Sequence, residues 1–241
     1  MTDRARRTGE VVRRPMGFWS PAVHDLLRYL QAGGFPSPRV LGTEGDLELL
    51  TWIDGESGPS GWAKIVPETG LRQWASFLRR YHDAVAGYRP PAGSIWSSGP
   101  GTCAAGQIVC HGDFGPWNGV WRGERIAGLI DFDHARPASP LSDVAYALEY
   151  AAPFRDDQEC LRWLRYPGPP DRRRRTEVFC DAYGITVPGN IVELVAEQQH
   201  LALELCAALG RQGIEPQATW IRDGYLDTVR ARIQWTEALR L

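Results

Sequence analysis

Between residues 107 and 143 the chain alternates short apolar runs with polar turns, and this pattern constrains the fold more than any other feature. The runs at 107–110 and 126–130 have the length of buried strands, and turn residues bound them. Polar side chains lie in the segments that follow these runs: Asp113, Asn118, Asp131, Asp133 and Asp143. Side chains at strand ends open on a cleft, so we expect this group to form a functional site.

These polar side chains have the chemistry of a metal site. Asp113 and Asn118 stand five residues apart on one loop and can turn inward together, and Asp131 at the end of the next strand can close the site. Carboxylate and amide oxygens are hard ligands that suit Mg²⁺ bound to phosphates. An aspartate that is not a ligand can accept a proton from an attacking hydroxyl group.

The rest of the chain predicts an α+β protein. Three strands and one helix are expected before residue 55, at 9–14, 39–41, 46–53 and between Ser20 and Gly33. Further helices are expected at 71–85, from 142 and over most of 158–241.

A segment rich in Gly, Ser and Pro at 55–61 indicates a boundary. We therefore expect a small first lobe over residues 1–54 and a mainly helical second lobe over residues 55–241. The run Arg172–Arg175 opens a helix in the second lobe. It is expected to form a solvated face, with an anion site as the alternative.

Composition excludes several classes of protein. The 241 residues are 43% hydrophobic and 23% charged, which is enough to bury a core, and a net charge of -2 gives no footprint for nucleic acid. No apolar run reaches the roughly 18 residues of a membrane span, and no apolar stretch follows the basic N-terminal residues as in a secretory signal. Five widely spaced cysteines are typical of free thiols in a reducing cytoplasm.

The segments HGDFGPWN at 111–118, IDFD at 130–133 and LSDVA at 141–145 resemble the aminoglycoside phosphotransferase and choline kinase family. In detail the chain is most similar to uncharacterised actinobacterial phosphotransferases. The resemblance implies a protein-kinase-like fold with an abridged first lobe. It also implies a cytoplasmic enzyme that moves the γ-phosphoryl group of ATP or GTP to a small-molecule hydroxyl, with Mg²⁺ as cofactor. The expected acceptors are an aminoglycoside-like antibiotic, a sugar or an amino alcohol.

The resemblance implies a role for each matching residue in the catalytic segment. Asp113 is the expected catalytic base, and His111 and Asp143 are expected to brace its loop through hydrogen bonds. Asn118 and Asp131 are the expected Mg²⁺ ligands between the nucleotide phosphates.

Two further assignments follow from the resemblance. Trp52 and Ile53 are the expected hinge, whose backbone carbonyl and N–H group would bind adenine. Asp133 stands where the family often has glycine, and it is a metal ligand, a substrate contact or only a turn residue.

The chain departs from the family in the part that would bind phosphate. A Gly-rich loop is not evident before the first strand, where Gly9 is the one glycine, so either the recorded start is late or the lid is built differently. In the family, a lysine on a strand of the first lobe contacts the α- and β-phosphates. Another residue must replace it here, because Lys64, the one lysine, lies beyond the boundary. Arg13 and Arg14 are the candidates. Val11 and Arg13 share one face of the strand, and Arg13 is favoured because the kinase pattern implied by the resemblance places a small adenine-lining residue two positions before the cation. Arginine can grip phosphate with two nitrogens.

The helix glutamate that would pair with this cation is also absent. Val23 takes its place, and His24 and Asp25 are the nearest polar residues. These departures leave two alternatives to a small-molecule kinase, namely a nucleotide-binding pseudoenzyme and a regulatory domain that binds neither nucleotide nor Mg²⁺. Several acids are candidates for an acidic acceptor pocket or are merely surface residues: Asp156, Asp157, Glu159, Glu193, Glu197 and Glu204.

Overall fold

A computed structural model describes residues 5–164 and 166–241, and the described chain begins with an antiparallel sheet that carries one helix. In chain order the elements are β1 (Arg6–Thr8), β2 (Val11–Pro15), α1 (Ser20–Ala32), β3 (Val40–Glu44) and β4 (Leu47–Thr51). The strands lie in the order β1-β2-β4-β3.

This sheet contains one more strand than the sequence predicted. A hairpin joins β1 to β2 through Gly9, whose φ of +59° lies in the left-handed region that favours glycine. The helix behind the sheet was predicted correctly. Its apolar residues at helical spacing are buried, namely Val23, Leu26, Leu27 and Leu30.

The remainder of the described chain is mainly helical. Its elements are α2 (Ser60–Ile65), α3 (Glu68–Val85), β5 (Ile95–Trp96), β6 (Gly99–Pro100), β7 (Ile108–Cys110), β8 (Gly119–Arg122), β9 (Arg125–Leu129), β10 (Arg136–Ala138), α4 (Pro140–Ala151), α5 (Asp157–Trp163), α6 (Arg172–Tyr183), α7 (Ile191–Arg211), α8 (Gln217–Arg222) and α9 (Tyr225–Ala238). The short strands pair as β5 with β6, β7 with β10 and β8 with β9. Within the described ranges, none of the helices combines the length and apolar character needed to cross a membrane.

Helix α3 lies at the centre of the core. The helix was predicted at 71–85, and its apolar residues at helical spacing are all buried to 1% exposure or less: Leu71, Trp74, Ala75, Leu78 and Tyr81. The predicted α+β class is confirmed. The segment at 55–61 is better ordered than a linker, because Glu56 and Trp121 exchange two backbone hydrogen bonds of 2.8 Å. The lobe boundary between residues 54 and 55 stays a prediction.

The arginine run at the start of α6 is only partly solvated. Arg172 donates to the carbonyl oxygens of Pro153 and Arg155, just beyond the end of α4. Arg175 donates to the oxygens of Ile65, Val66 and Ala151 at 2.7–2.8 Å, which are the C-terminal carbonyls of α2 and α4. A cation satisfies carbonyls that a helix end leaves unpaired. The solvated-face prediction is therefore wrong for these two arginines.

Replacing Arg175 should destabilise the protein. Arg175→Met leaves three carbonyls without their donor, and we expect a loss of about 2–4 kcal/mol in the free energy of unfolding. Arg173→Met is the matched control because Arg173 is exposed, and it should change stability by less than about 0.5 kcal/mol. Urea unfolding of both variants measures the difference, and equal midpoints would contradict the role of Arg175.

Candidate active site

The loop after β7 is held by the buried carboxylate of Asp143. This carboxylate accepts hydrogen bonds from the N–H groups of His111 (2.7 Å) and Gly112 (2.9 Å) and from Nε2 of His82 (3.1 Å). Burial acts to raise the pKa of Asp143, but the hydrogen bond and charge of His82 hold it below its ordinary value. Asp143 is thus an ionised acceptor that fixes the loop backbone.

Gly112 has to be glycine at this point of the loop. Its φ is +77°, and an added Cβ would lie 1.9 Å from the carbonyl oxygen of His134. The close approach lets the loop after β7 lie against the turn that follows β9.

His111 connects these two loops. It is fully buried, its Nδ1 accepts the N–H of Asp113 at 3.3 Å, and its Nε2 donates to the carbonyl oxygen of Ile130 at 3.1 Å. Burial lowers the pKa of His111, which favours the neutral ring with the proton on Nε2. His111 therefore positions Asp113 relative to the residue that precedes Asp131.

Asp113 is hydrogen bonded through both carboxylate oxygens. The phenol of Tyr146 on α4 donates to Oδ1, while Asn118 Nδ2 (2.8 Å) and Trp117 Nε1 (3.4 Å) donate to Oδ2. Burial raises the pKa of Asp113, although the charge of His134 and the bond from Tyr146 act in the opposite direction. Sequence reasoning missed Tyr146 and Trp117, since neither belongs to the acidic pattern.

Asn118 and Asp131 are carried by adjoining backbone. The N–H of Ile130 donates to the carbonyl oxygen of Asn118 at 2.9 Å. The side-chain nitrogen of Asn118 is used by Asp113, so its amide oxygen is the atom left to bind a cation. Asp131 has a φ of +65° and a half-exposed side chain.

Asp131 and Asp133 converge on one cation, the guanidinium of Arg14. Nη1 of Arg14 lies 3.2 Å from an oxygen of each carboxylate, and Nη2 also pairs with Asp133. Two carboxylates that share one cationic partner present hard oxygen ligands to a common region. This arrangement fits a divalent ion such as Mg²⁺, with the amide oxygen of Asn118 as a further ligand.

The structure brings Arg14, and not Arg13, to these aspartates. Neighbouring residues of β2 point to opposite faces of the sheet, and Arg13 pairs with Glu44 at 3.3 Å. The choice of Arg13 over Arg14 is thereby corrected. The physical reason is the register of β2 with β4, which sets Arg14 directly opposite Glu48.

Glu48 replaces the acid that α1 lacks. Its side chain is 1% exposed and pairs with Nε of Arg14 and with Nε2 of His24. Burial acts against the charged form of Arg14, but Asp133, Asp131 and Glu48 raise its pKa above the ordinary value. The partner of the strand cation therefore comes from the neighbouring strand, and sequence reasoning missed it inside an apolar run.

The expected hinge follows β4. The N–H of Trp52 donates to the carbonyl oxygen of Glu10 at 2.8 Å, and the guanidinium of Arg7 covers its ring at 4.2 Å. The N–H of Trp52 therefore belongs to the sheet, which leaves its carbonyl oxygen and the N–H of Ile53 as the groups a hinge can offer. The adenine contact of Trp52 and Ile53 stays a prediction.

Fold and site together define a class of protein. A small sheet holds a cation above an Asp–Asn–Asp cluster on loops of a helical part, as in kinase-like phosphotransferases. Residues 95–178 match the sequence profile described as the phosphotransferase enzyme family. The trifolitoxin immunity protein of Rhizobium leguminosarum bv. trifolii is 36% identical over 187 residues, 75% of this chain and 70% of the relative. The chain belongs to the phosphotransferase enzyme family, as the resemblance implied.

Solved structures share the fold at low sequence identity. An aminoglycoside 2′-phosphotransferase-IIIa mutant in its GDP complex has a TM-score of 0.62 at 13% identity and covers 99% of this chain and 89% of its own. An amicoumacin kinase with AMP-PNP and Ca²⁺ gives 0.60 at 11%, covering 97% and 89%. A Plasmodium vivax ethanolamine kinase gives 0.56 at 14%, covering 94% and 75%. The predicted protein-kinase-like fold is confirmed, and the family makes the chain a small-molecule kinase.

The hydrogen bond from the phenol of Tyr146 to Asp113 predicts a shift in the rate–pH profile when Tyr146 is replaced. Tyr146→Phe removes a hydrogen bond that stabilises the ionised carboxylate, so the pKa of Asp113 should rise further. Asp113 is the predicted base, and a base acts in its ionised form. On that prediction, the acidic limb of the rate–pH profile should move to higher pH in the variant. Single-turnover transfer measured across pH 4–8 tests this. A limb that stays in place or moves to lower pH would contradict it.

Proposed function

We propose that this protein transfers the γ-phosphoryl group of a nucleoside triphosphate, ATP or GTP, to a hydroxyl of a small molecule. The observation that carries the proposal is that Asp113 is hydrogen bonded to Asn118, while Asp131 and Asp133 on the adjoining loop share the guanidinium of Arg14. Such a grouping would supply a base and a charge-neutralising set side by side, as phosphoryl transfer requires.

The donor site would lie between the sheet and these loops. Arg14 would pair with the phosphates, and the carbonyl of Trp52 and the N–H of Ile53 would bind the base. The GDP and AMP-PNP present in the two related enzyme structures support a nucleotide donor. Arginine suits this role because its planar fork can bind two phosphate oxygens at once.

Asn118 and Asp131, with Asp133 beside them, would hold Mg²⁺. The ion supplies neutralisation of charge on the phosphoryl group. Arg14 shares the same two carboxylates, so it contributes positive charge to the same region from the side of the sheet.

Asp113 would orient the acceptor hydroxyl and take its proton at a carboxylate oxygen. Asn118 and Trp117 hold the other oxygen, which fixes the plane of the carboxylate. His111 and Asp143 would act by positioning, since they hold the loop that carries Asp113.

A toxin or antibiotic with a free hydroxyl is a fitting acceptor, because the curated relative is an immunity protein. Inactivation of such a compound would protect the cell that makes the enzyme. The five free cysteines agree with a reducing cytoplasm as the site of action. Residues 1–54 would form the nucleotide-covering lobe and residues 55–241 the lobe that bears the acceptor.

Arg14 and Arg13 form a matched pair for testing the phosphate contact. Arg14→Gln should weaken ATP binding by about 10- to 100-fold, as expected for loss of hydrogen bonds to a charged group. Adenosine binding should change little, because adenosine has no phosphate. Arg13→Gln should leave both affinities within about twofold. Calorimetric titration with Mg²⁺ present measures all four, and a larger effect of Arg13→Gln would overturn the assignment.

Removal of the base charge tests the reaction itself. Asp113→Asn should keep nucleotide affinity within a few-fold but lower transfer at least about 10²-fold, the low end for a positioned general base. Asp223→Asn, at an exposed aspartate far along the chain, is the control. The two readouts are a nucleotide titration and single-turnover transfer from labelled ATP to a panel of antibiotic, sugar and amino alcohol acceptors. Near-normal transfer by the variant would remove Asp113 from the base role, and a wild type that binds nucleotide yet phosphorylates no acceptor would indicate a pseudoenzyme.

A further inference from the structure

Four aromatic side chains form one continuous group next to Asp113, here called the aromatic cluster: Trp62, Trp117, Tyr146 and Tyr150. Ring centroids lie 4.7 Å apart for Trp117 and Tyr150, 5.0 Å for Trp62 and Trp117, and 5.4 Å for Tyr146 and Tyr150. Each ring is therefore in contact with at least one other, and the four form one continuous aromatic surface.

The aromatic cluster begins at the catalytic carboxylate. Trp117 donates its indole N–H to one oxygen of Asp113, and Tyr146 donates its phenol to the other. An acceptor hydroxyl has to reach this same carboxylate. The part of the acceptor next to that hydroxyl must therefore contact the cluster.

All four cluster residues are partly exposed. Aromatic side chains of the core behave differently, since Trp74, Trp96, Trp121 and Phe114 are exposed to 1% or less. Partly exposed aromatic surface beside a polar catalytic group is the usual lining of a small-molecule site.

The charges around the cluster do not favour a polycationic acceptor. Glu149 pairs with Arg155 at 2.9 Å, and Glu159 pairs with both Arg155 and Arg232. The guanidinium of Arg155, which is 3% exposed, lies 4.7 Å from the ring centroid of Tyr150. These acids are therefore already neutralised by arginines and offer no free charge to a cationic ligand.

The other acids considered for an acidic pocket are paired, cap a helix or lie at exposed positions. Asp157 pairs with Arg172 at 2.7 Å, and Asp156 accepts the N–H of Glu159 at the start of α5. The remaining three are exposed on α7, namely Glu193, Glu197 and Glu204.

We propose that the acceptor carries a planar aromatic or heteroaromatic ring, neutral or anionic, close to the hydroxyl that is phosphorylated, and that this ring stacks on the aromatic cluster. The identification of this ligand as the acceptor rests on the proposed function. Stacking of the ring places the neighbouring hydroxyl at Asp113. A polycationic aminoglycoside is disfavoured because Glu149 and Glu159 beside the cluster are already paired with arginines.

The test compares three probes in binding to the full chain with AMP-PNP and Mg²⁺. They are 2-(indol-3-yl)ethanol, 2-cyclohexylethanol as its non-planar counterpart, and kanamycin as the polycation. Dissociation constants come from NMR titration of each probe. We expect the indole alcohol to bind several-fold more tightly than either of the others.

Variants of Trp62, with a control at Trp163, locate the binding. Trp62→Leu should weaken the indole alcohol by about 2- to 10-fold, the range for loss of one aromatic pair. Trp62→Phe should retain most of the affinity and keeps the test valid if the leucine variant is poorly folded. Trp163→Leu is the matched control, since Trp163 is a 63% exposed tryptophan outside the cluster, and it should have no effect.

The inference is overturned by equal binding of the two alcohols, by tighter binding of kanamycin, by no binding of the indole alcohol up to its solubility limit, or by an equal loss in Trp163→Leu. Its failure is distinguishable from failure of the proposed function. Transfer to kanamycin with no ring-dependent binding keeps the kinase and removes the aromatic site. Ring-dependent binding with no transfer to any acceptor keeps the site as a ligand site and removes the kinase.

Discussion

The ion pairs of Arg14 are the interaction on which the remainder of the site depends. Arg14 is largely buried on the sheet, and a buried cation is stable only when carboxylates and hydrogen bonds compensate its lost hydration. Glu48 does so from within the sheet, whereas Asp131 and Asp133 do so from the loop after β9. The same contacts therefore compensate a charge and join the strand that bears the cation to the loop that bears the metal ligands.

Arginine performs comparable tasks elsewhere in the chain, where 26 of 27 basic residues are arginine. Arg155 joins two acids and the ring of Tyr150, and Arg175 joins the ends of two helices. Each of these positions uses several donors of one planar guanidinium in different directions. A lysine offers a compact ammonium group and could satisfy only part of each set. At these positions the use of arginine is therefore a requirement of the architecture.

The parts of the site and of the fold that depend on local spacing could be predicted from the sequence. Asp113, Asn118 and Asp131 lie on two short loops tied by backbone hydrogen bonds, and the apolar face of α3 follows directly from helical periodicity. Arg14 could not be selected in the same way. In the segment VVRR both faces of the strand alternate one apolar residue with one arginine, so only pairing with Glu48, 34 positions away, decides which arginine faces inward. Tyr146 could not be predicted for a similar reason, because α4 approaches Asp113 only in the tertiary fold.

The hydrogen bond from the phenol of Tyr146 to Asp113 bears on which hydroxyl group, that of an acceptor or that of water, can react. Oδ2 accepts two hydrogen bonds from the protein and Oδ1 accepts one, which leaves one lone pair on Oδ1 for an incoming hydroxyl group. An acceptor that also contacts its surroundings would be held at this lone pair in a fixed orientation, whereas a water molecule would be free to rotate there. In the proposed reaction, this arrangement would favour transfer to the acceptor over hydrolysis of the nucleotide.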